Sequence, residues 1–171
     1  MSVPRIHQLA CVDSTVKIGA GTVIHQFATV VRGARLGQDC SVSPGAVFDG
    51  SHAGDRVRIG INAAMGPGFL IEDDVFIGPN VTLANDAWPR AHKHGFNPEA
   101  FDGSRYAVIV KRGASIGANS VILPGVVIGR DAMVAAGSVV TTNVPERHLW
   151  CASDVRPIEK EPQRMRFACE A

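Results

Sequence analysis

Ser115-Ile116-Gly117-Ala118-Asn119-Ser120-Val121-Ile122-Leu123-Pro124-Gly125-Val126-Val127-Ile128-Gly129-Arg130-Asp131-Ala132-Met133-Val134 repeats its chemistry every six residues. Large aliphatic residues stand at Ile116, Ile122, Ile128 and Val134, with small or β-branched ones two places earlier at Ala114, Ser120, Val126 and Ala132. A six-residue unit with one large and one small inward position makes a short flat strand plus a turn. Three such units close a triangular coil, and stacked coils bury one aliphatic prism whose strands pair about 4.8 Å apart.

The same phase runs through the rest of the chain. It starts at Ile6 and passes Val12, Ile18, Ile24, Val30, Leu36, Val42 and Phe48. After one break it resumes at Ile59, Met65, Ile71, Ile77 and Leu83; after a second, at Val110, and it ends at Val140. The small register accompanies it through Val16, Thr22, Ala28, Ala34, Cys40 and Ala46, then Val57, Ala63, Phe69, Val75 and Val81. Glycine follows the large residue at Gly19, Gly37, Gly60, Gly78, Gly117 and Gly129. Apolar residues make up 46% of the chain and aromatics only 6%, so the core must be aliphatic, which favours short β segments. An antiparallel sandwich would instead alternate with period two and turn every 8–12 residues or so. The expectation is one all-β domain, a parallel β-helix roughly six coils deep. It spans residues 1–145, with a C-terminal tail at 146–171.

Charge and cysteine usage exclude several function classes. A net charge of +1, with acids and bases interspersed, offers nothing to nucleic acid or to an anionic membrane. No apolar run reaches the roughly 20 residues that a bilayer span needs, and the first residues do not read as a signal peptide. Cys11, Cys40, Cys151 and Cys169 form no CxxC pair and no disulfide framework, so a cytoplasmic setting is expected.

The second break, residues 84–107, is a long excursion from a tightly periodic solenoid, and such loops usually carry function. It reads Asn85-Asp86-Ala87-Trp88-Pro89-Arg90-Ala91-His92-Lys93-His94, then Asn97-Pro98-Glu99 and Asp102-Gly103-Ser104-Arg105-Tyr106.

The [Leu/Ile/Val]-Gly-x-x-x-x pattern over about residues 6–145 resembles the hexapeptide-repeat acyltransferases, and that resemblance implies a left-handed coil. In the sugar and antibiotic O-acetyltransferases of this fold the loop looks like Thr-Asp-x-His-Pro, whose His is the general base. Here Trp88 stands at that position. A hydroxyl acceptor needs a positioned base, whereas an amine with a pKa near about 8 is already partly neutral at pH 7. The missing His points to an amine. Leu70-Ile71-Glu72-Asp73-Asp74-Val75-Phe76-Ile77-Gly78-Pro79-Asn80 followed by Asn85-Asp86-Ala87-Trp88-Pro89-Arg90-Ala91 is similar to the nucleotide-sugar 3-N-acetyltransferases, with their Thr-Asn-x-x-x-Pro-Arg signature. The likeness continues through Arg105-Tyr106 and Val110 to Asn119, and Gly66-Pro67 stands where relatives carry an aromatic and an acid.

This resemblance implies an acetyl-CoA-dependent homotrimer acting on a nucleotide-linked 3-amino sugar, a precursor of surface polysaccharides such as lipopolysaccharide. Asn85 and Asp86 become the candidate catalytic pair, with Arg90, His92, His94 and Tyr106 toward the substrate. On the donor side it implies Ala118, Ala136 and Thr141 along the pantetheine arm and Lys111, Arg112 and Arg130 for the coenzyme phosphates. His7 and His25 share a phase, but no third ligand falls in register with them, so no metal is expected. The competing readings are an O-acetyltransferase with His92 or His94 as base, a γ-carbonic-anhydrase-like hydratase and a non-catalytic repeat protein.

Overall fold

The computed structural model describes residues 2–91, 97, 101, 103–152 and 154–158. Among these residues every regular element is a strand, and most strands are two or three residues long. They form a parallel β-helix of about eight turns. The first sheet climbs from Arg5–Ile6 through Val23–Ile24, Ser41–Val42, Arg58–Ile59, Phe76–Ile77, Ser115–Ile116 and Met133–Val134 to His148–Cys151. The second runs from Cys11–Val12 to Val139–Val140, and the third from Lys17–Ile18 to Val127–Ile128. Both sequence registers point inward: Ile59, Ile77, Ile116 and Ile128 are buried, and so are Ala28, Ala46, Ala63 and Ala114 beside them.

Three further regularities explain the repeat. From Ile24 onward, the residue three places before a large one generally turns the chain with positive φ, as at Gly21, Asp39, Asn62, Asn80, Asn119 and Gly137. Gly, Asn and Asp tolerate that left-handed backbone at least cost. The glycines after the large residues have a different reason. A Cβ on Gly37 would lie 2.5 Å from the backbone of Gly54, and one on Gly117 would lie 2.5 Å from the Ala136 nitrogen. These corners stack backbone on backbone, and a side chain has no room. Third, hydroxyls at the small inward position reach the next coil: Thr22 donates to the Gly37 carbonyl, Ser51 to Gly66 and Ser120 to Ala135. They supply buried turn carbonyls that no strand can satisfy.

Two details depart from the sequence reading. The first break in phase is a single missing residue, because Ala53 fills the inward position five residues after Phe48 and His52–Ala53 pairs with both Arg35–Leu36 and Leu70–Ile71. The prism is also deeper than six coils. His148–Cys151 adds a rung on Met133–Val134, Trp150 is only 5% exposed, and Asp154–Pro157 folds back antiparallel to close that end. At the opposite end Ile6 stays 49% exposed.

Candidate functional site

The loop leaves the prism after Thr82–Leu83 in the second sheet and returns at Val108–Val110 in the third. It therefore replaces one corner of one coil. Register is unaffected across it: Phe76 faces Ser115 and Thr82 faces Val121.

Both feet of the loop stand on Gly66-Pro67-Gly68, one coil below. The Asn85 amide donates to the Pro67 carbonyl at 2.8 Å, and a Cβ on Gly66 would come within 3.1 Å of that same amide nitrogen. Ala107 donates to the Gly68 carbonyl at 2.7 Å, and Gly125 above donates to the Ala107 carbonyl at 2.7 Å. A side chain on Gly68 would strike the Phe101 ring, which is half-buried against the core. Gly66-Pro67, read from sequence as a departure from relatives, forms with Gly68 the seat on which the loop is mounted. With its N–H engaged, Asn85 presents an acceptor oxygen that has no partner among the described residues.

Beyond Asn85 the loop tightens. The Asp86 carboxylate accepts the Trp88 peptide N–H at 2.9 Å, an Asx turn that presents the indole outward, 82% exposed. Arg90 is exposed as well. His92 and His94 lie outside the described residues. On the returning limb the Tyr106 hydroxyl donates to the Gly103 carbonyl at 2.7 Å.

Tyr106 also meets a residue that the sequence reading passed over. Its ring stands edge-on to His52, centroids 6.3 Å apart and planes at 72°. Burial, helped by the nearby Arg35 charge, holds the His52 imidazole below the ordinary histidine value. His52 was hard to find from sequence because the missing residue after Phe48 removes it from the six-residue phase, so its stacking on Arg35 is not visible as an 18-residue repeat.

The predicted residues do not converge in one prism. Asn85, Asp86 and Thr141 lie on the edge between the second and third sheets. Ala118 and Ala136 lie on the edge between the first and second, where Gly137 donates to the Ala118 carbonyl at 2.8 Å. The peptide N–H groups of Ala118 and Ala136 have no partner among the described residues. Lys111, Arg112 and Arg130 lie on the edge between the third and first sheets. There Arg112 is held by Asp73 at 2.5 Å, and its peptide N–H by Glu72 at 2.9 Å, so it serves the stacking. Hydrogen bonds from the Asp55 N–H and from Arg112 keep the Asp73 carboxyl below the usual carboxylate value.

Residues 107–142 match the bacterial transferase hexapeptide model of six repeats, and residues 53–84 match the hexapeptide repeat of succinyl-transferase. Both matched stretches are hexapeptide repeats. The repeat is 29% identical over 187 residues to the bifunctional protein GlmU of a Geobacillus species, covering 88% of this chain and 40% of that one. It is 52% identical over 59 residues to a dTDP-3-amino-3,6-dideoxy-alpha-D-galactopyranose 3-N-acetyltransferase of Aneurinibacillus thermoaerophilus, covering 34% and 29%. The chain spans well under two thirds of either relative. Among solved structures it matches AntD, an N-acyltransferase from Bacillus cereus in complex with dTDP-4-amino-4,6-dideoxyglucose and coenzyme A. That match has a TM-score of 0.66 at 19% identity and covers 86% of this chain and 84% of AntD. It establishes a shared fold.

Proposed function

We propose that this hexapeptide-repeat chain is an acetyl-CoA-dependent N-acetyltransferase acting on the 3-amino group of a nucleotide-linked sugar. The observation that carries the reading is Asn85. Its amide is fixed on Pro67, its oxygen is the acceptor left over, and the position of the base in O-acetyltransferases holds the exposed Trp88. An oxygen acceptor suits an amine N–H and orients the nitrogen lone pair away from itself. A neutral amine needs no protein base to attack a thioester. The names of the similar proteins support the same reading: one acts on a dTDP-3-amino sugar, and another was solved with coenzyme A and a dTDP-amino sugar.

The amine nitrogen attacks the acetyl carbonyl, peptide N–H groups steady the oxyanion, and the C–S bond then breaks as the amide forms. The proton lost by nitrogen leaves through water, the substrate or the departing sulfur. The N–H groups of Ala118 and Ala136, without a partner among the described residues, suit the amide oxygens of an extended pantetheine arm, and small side chains there let a ligand approach the backbone. Because Asn85 and these groups lie on different edges, one prism does not complete the site. Two neighbouring prisms do, hence a homotrimer of three 18.1 kDa chains, measurable by light scattering.

Steady-state kinetics on a nucleotide-linked 3-amino sugar test the assignment. Asn85→Ala should lower kcat/KM by about 10- to 1,000-fold, the scale of one lost positioning contact. His92→Ala and His94→Ala should each cost well below the 10²–10⁴ or so of a lost general base. The pH profile should follow the substrate amine and shift when the amine is changed. A profile that tracks a histidine and disappears in either His variant would return the assignment to an O-acetyltransferase.

A further inference from the structure

Resting on the nucleotide-sugar reading above, we infer that the outward face of the third sheet, below the loop, is the shelf that binds the diphosphate of the nucleotide. Lys17, Arg35, His52 and Tyr106 form it.

Parallel register sets Lys17 directly opposite Arg35 and Arg35 directly opposite His52, so the three stack on consecutive coils and face solvent on one side of the prism. Strand spacing places such neighbours about 4.8 Å apart. Like charges facing each other across strands destabilise a sheet, and several cations of this molecule are instead paired with an acid. Arg32 pairs with Asp49, Arg56 with Asp74 and Arg112 with Asp73, each reaching an acid on the next coil. Lys17 and Arg35 are exposed and pair with no acid among the described residues. They are cations paired directly across two strands with no acid beside them among the described residues.

The loop overhangs this stack. Tyr106 stands edge-on to His52, and Gly103 has its Cβ position 3.8 Å from the His52 ring. The returning limb therefore comes down as far as the His52 coil of the third sheet, beside the edge where Asn85 is seated. His52 is half-buried beneath Tyr106, so its imidazole offers a neutral N–H rather than a third full charge. Arg gives a planar fork and Lys a point charge, the two cationic forms that bind phosphate oxygens. A diphosphate carries two adjacent anionic groups, and two stacked cations match that spacing better than a single phosphate does. The amino sugar would then lie upward, toward the Asn85 oxygen.

The same chemistry could serve the phosphates of coenzyme A, so the test separates the two sources. Dissociation constants for UDP, dTDP and GDP, and separately for acetyl-CoA, are measured by calorimetry on the full chain. The comparison is wild type against Lys17→Gln/Arg35→Gln, with the melting temperature as the folding control. We expect at least one of the nucleoside diphosphates to lose about 30-fold in affinity, two charge-assisted contacts being removed. Acetyl-CoA affinity should change by less than about twofold, and the salt dependence of diphosphate binding should flatten in the variant. Arg35→Lys should restore part of the loss. Unchanged diphosphate binding in the double variant, loss of acetyl-CoA affinity alone, or no binding of any of the three by wild type would each overturn the shelf. The shelf and the acceptor reading can fail separately. Wild type that binds diphosphate through Lys17 and Arg35 but transfers no acetyl group to a 3-amino sugar keeps the first and loses the second; transfer by a protein whose double variant binds diphosphate normally does the reverse.

Discussion

Two edges of the prism make the same turn by opposite means. Between the third and first sheets, the glycines are required by contact. A Cβ on Gly19 would meet the Gly37 carbonyl carbon at 2.4 Å, and one on Gly37 would meet Gly54 at 2.5 Å. Acids and bases lock the outer rim, with the Gln38 N–H on Asp55, the Asp55 N–H on Asp73 and Arg112 on Asp73. Between the second and third sheets, away from the glycines that seat the loop, conformation is the requirement. Gly33 and Gly125 have φ of +67° and +86°, and a Cβ on either would find open space or only a contact at 4.0 Å. The packed edge has no gap for an insertion or a ligand, and the roomy edge accommodates the loop and seats Asn85. A solenoid can thus hold rigidity and function in the same coil, provided they lie on different edges.

The contrast predicts unequal costs for the same substitution. Gly37→Ala drives a methyl group into backbone that cannot retreat without unstacking a coil, and should cost about 3 kcal/mol in urea unfolding. A cost near zero would mean that the corner relaxes freely. Ser51→Ala should cost about 2 kcal/mol, because Ser51 is buried, donates to the Gly66 carbonyl at 2.8 Å and accepts the Phe69 N–H at 3.1 Å. Both of those groups lie under the loop's seat. Urea unfolding and acceptor KM should therefore both change in this variant, and a stability loss with KM unchanged would show that the seat holds without it. Gly125→Ala should cost about 1 kcal/mol, from backbone strain alone; a value equal to that of Gly37→Ala would erase the distinction between the edges.

The smallest expected effect is a pH dependence at His52. Its proton is bound less readily in the folded protein than in the unfolded chain, through burial first and Arg35 second. Stability from this group is therefore present above about pH 6.5 and is lost as pH falls through the depressed folded value. The acids with depressed values, Asp13, Asp73 and Asp74, act lower, below their ordinary value of 3.8. Unfolding midpoints measured downward from about pH 6.5 should fall for wild type and stay flatter for His52→Asn. Equal slopes would remove His52 from the anchoring of the loop.

Sequence alone settled the prism and the place of the loop, and it singled out Asn85 as a candidate. Period six is a local regularity: each large residue at Ile59, Ile77 or Ile116 must point inward whatever its neighbours do, so the pattern survives without knowledge of the coil it joins. Asn85 was legible because its motif is contiguous. The edge a residue occupies is different, since it depends on counting units in threes. One missing residue between Phe48 and Ala53 was enough to hide His52 from that count and with it the stack on Arg35. Arg112 read as a candidate for the coenzyme phosphates, and its ion pair with Asp73 across the whole loop was invisible until the coils were stacked. Trp150 read as part of a tail, yet it closes the core because a last coil must cover the one beneath it. The mounting of Asn85 on Pro67, and the spread of the expected site over three edges, rest on contacts between residues one coil apart; those contacts carry no six-residue signal, and only the stacked structure decides them.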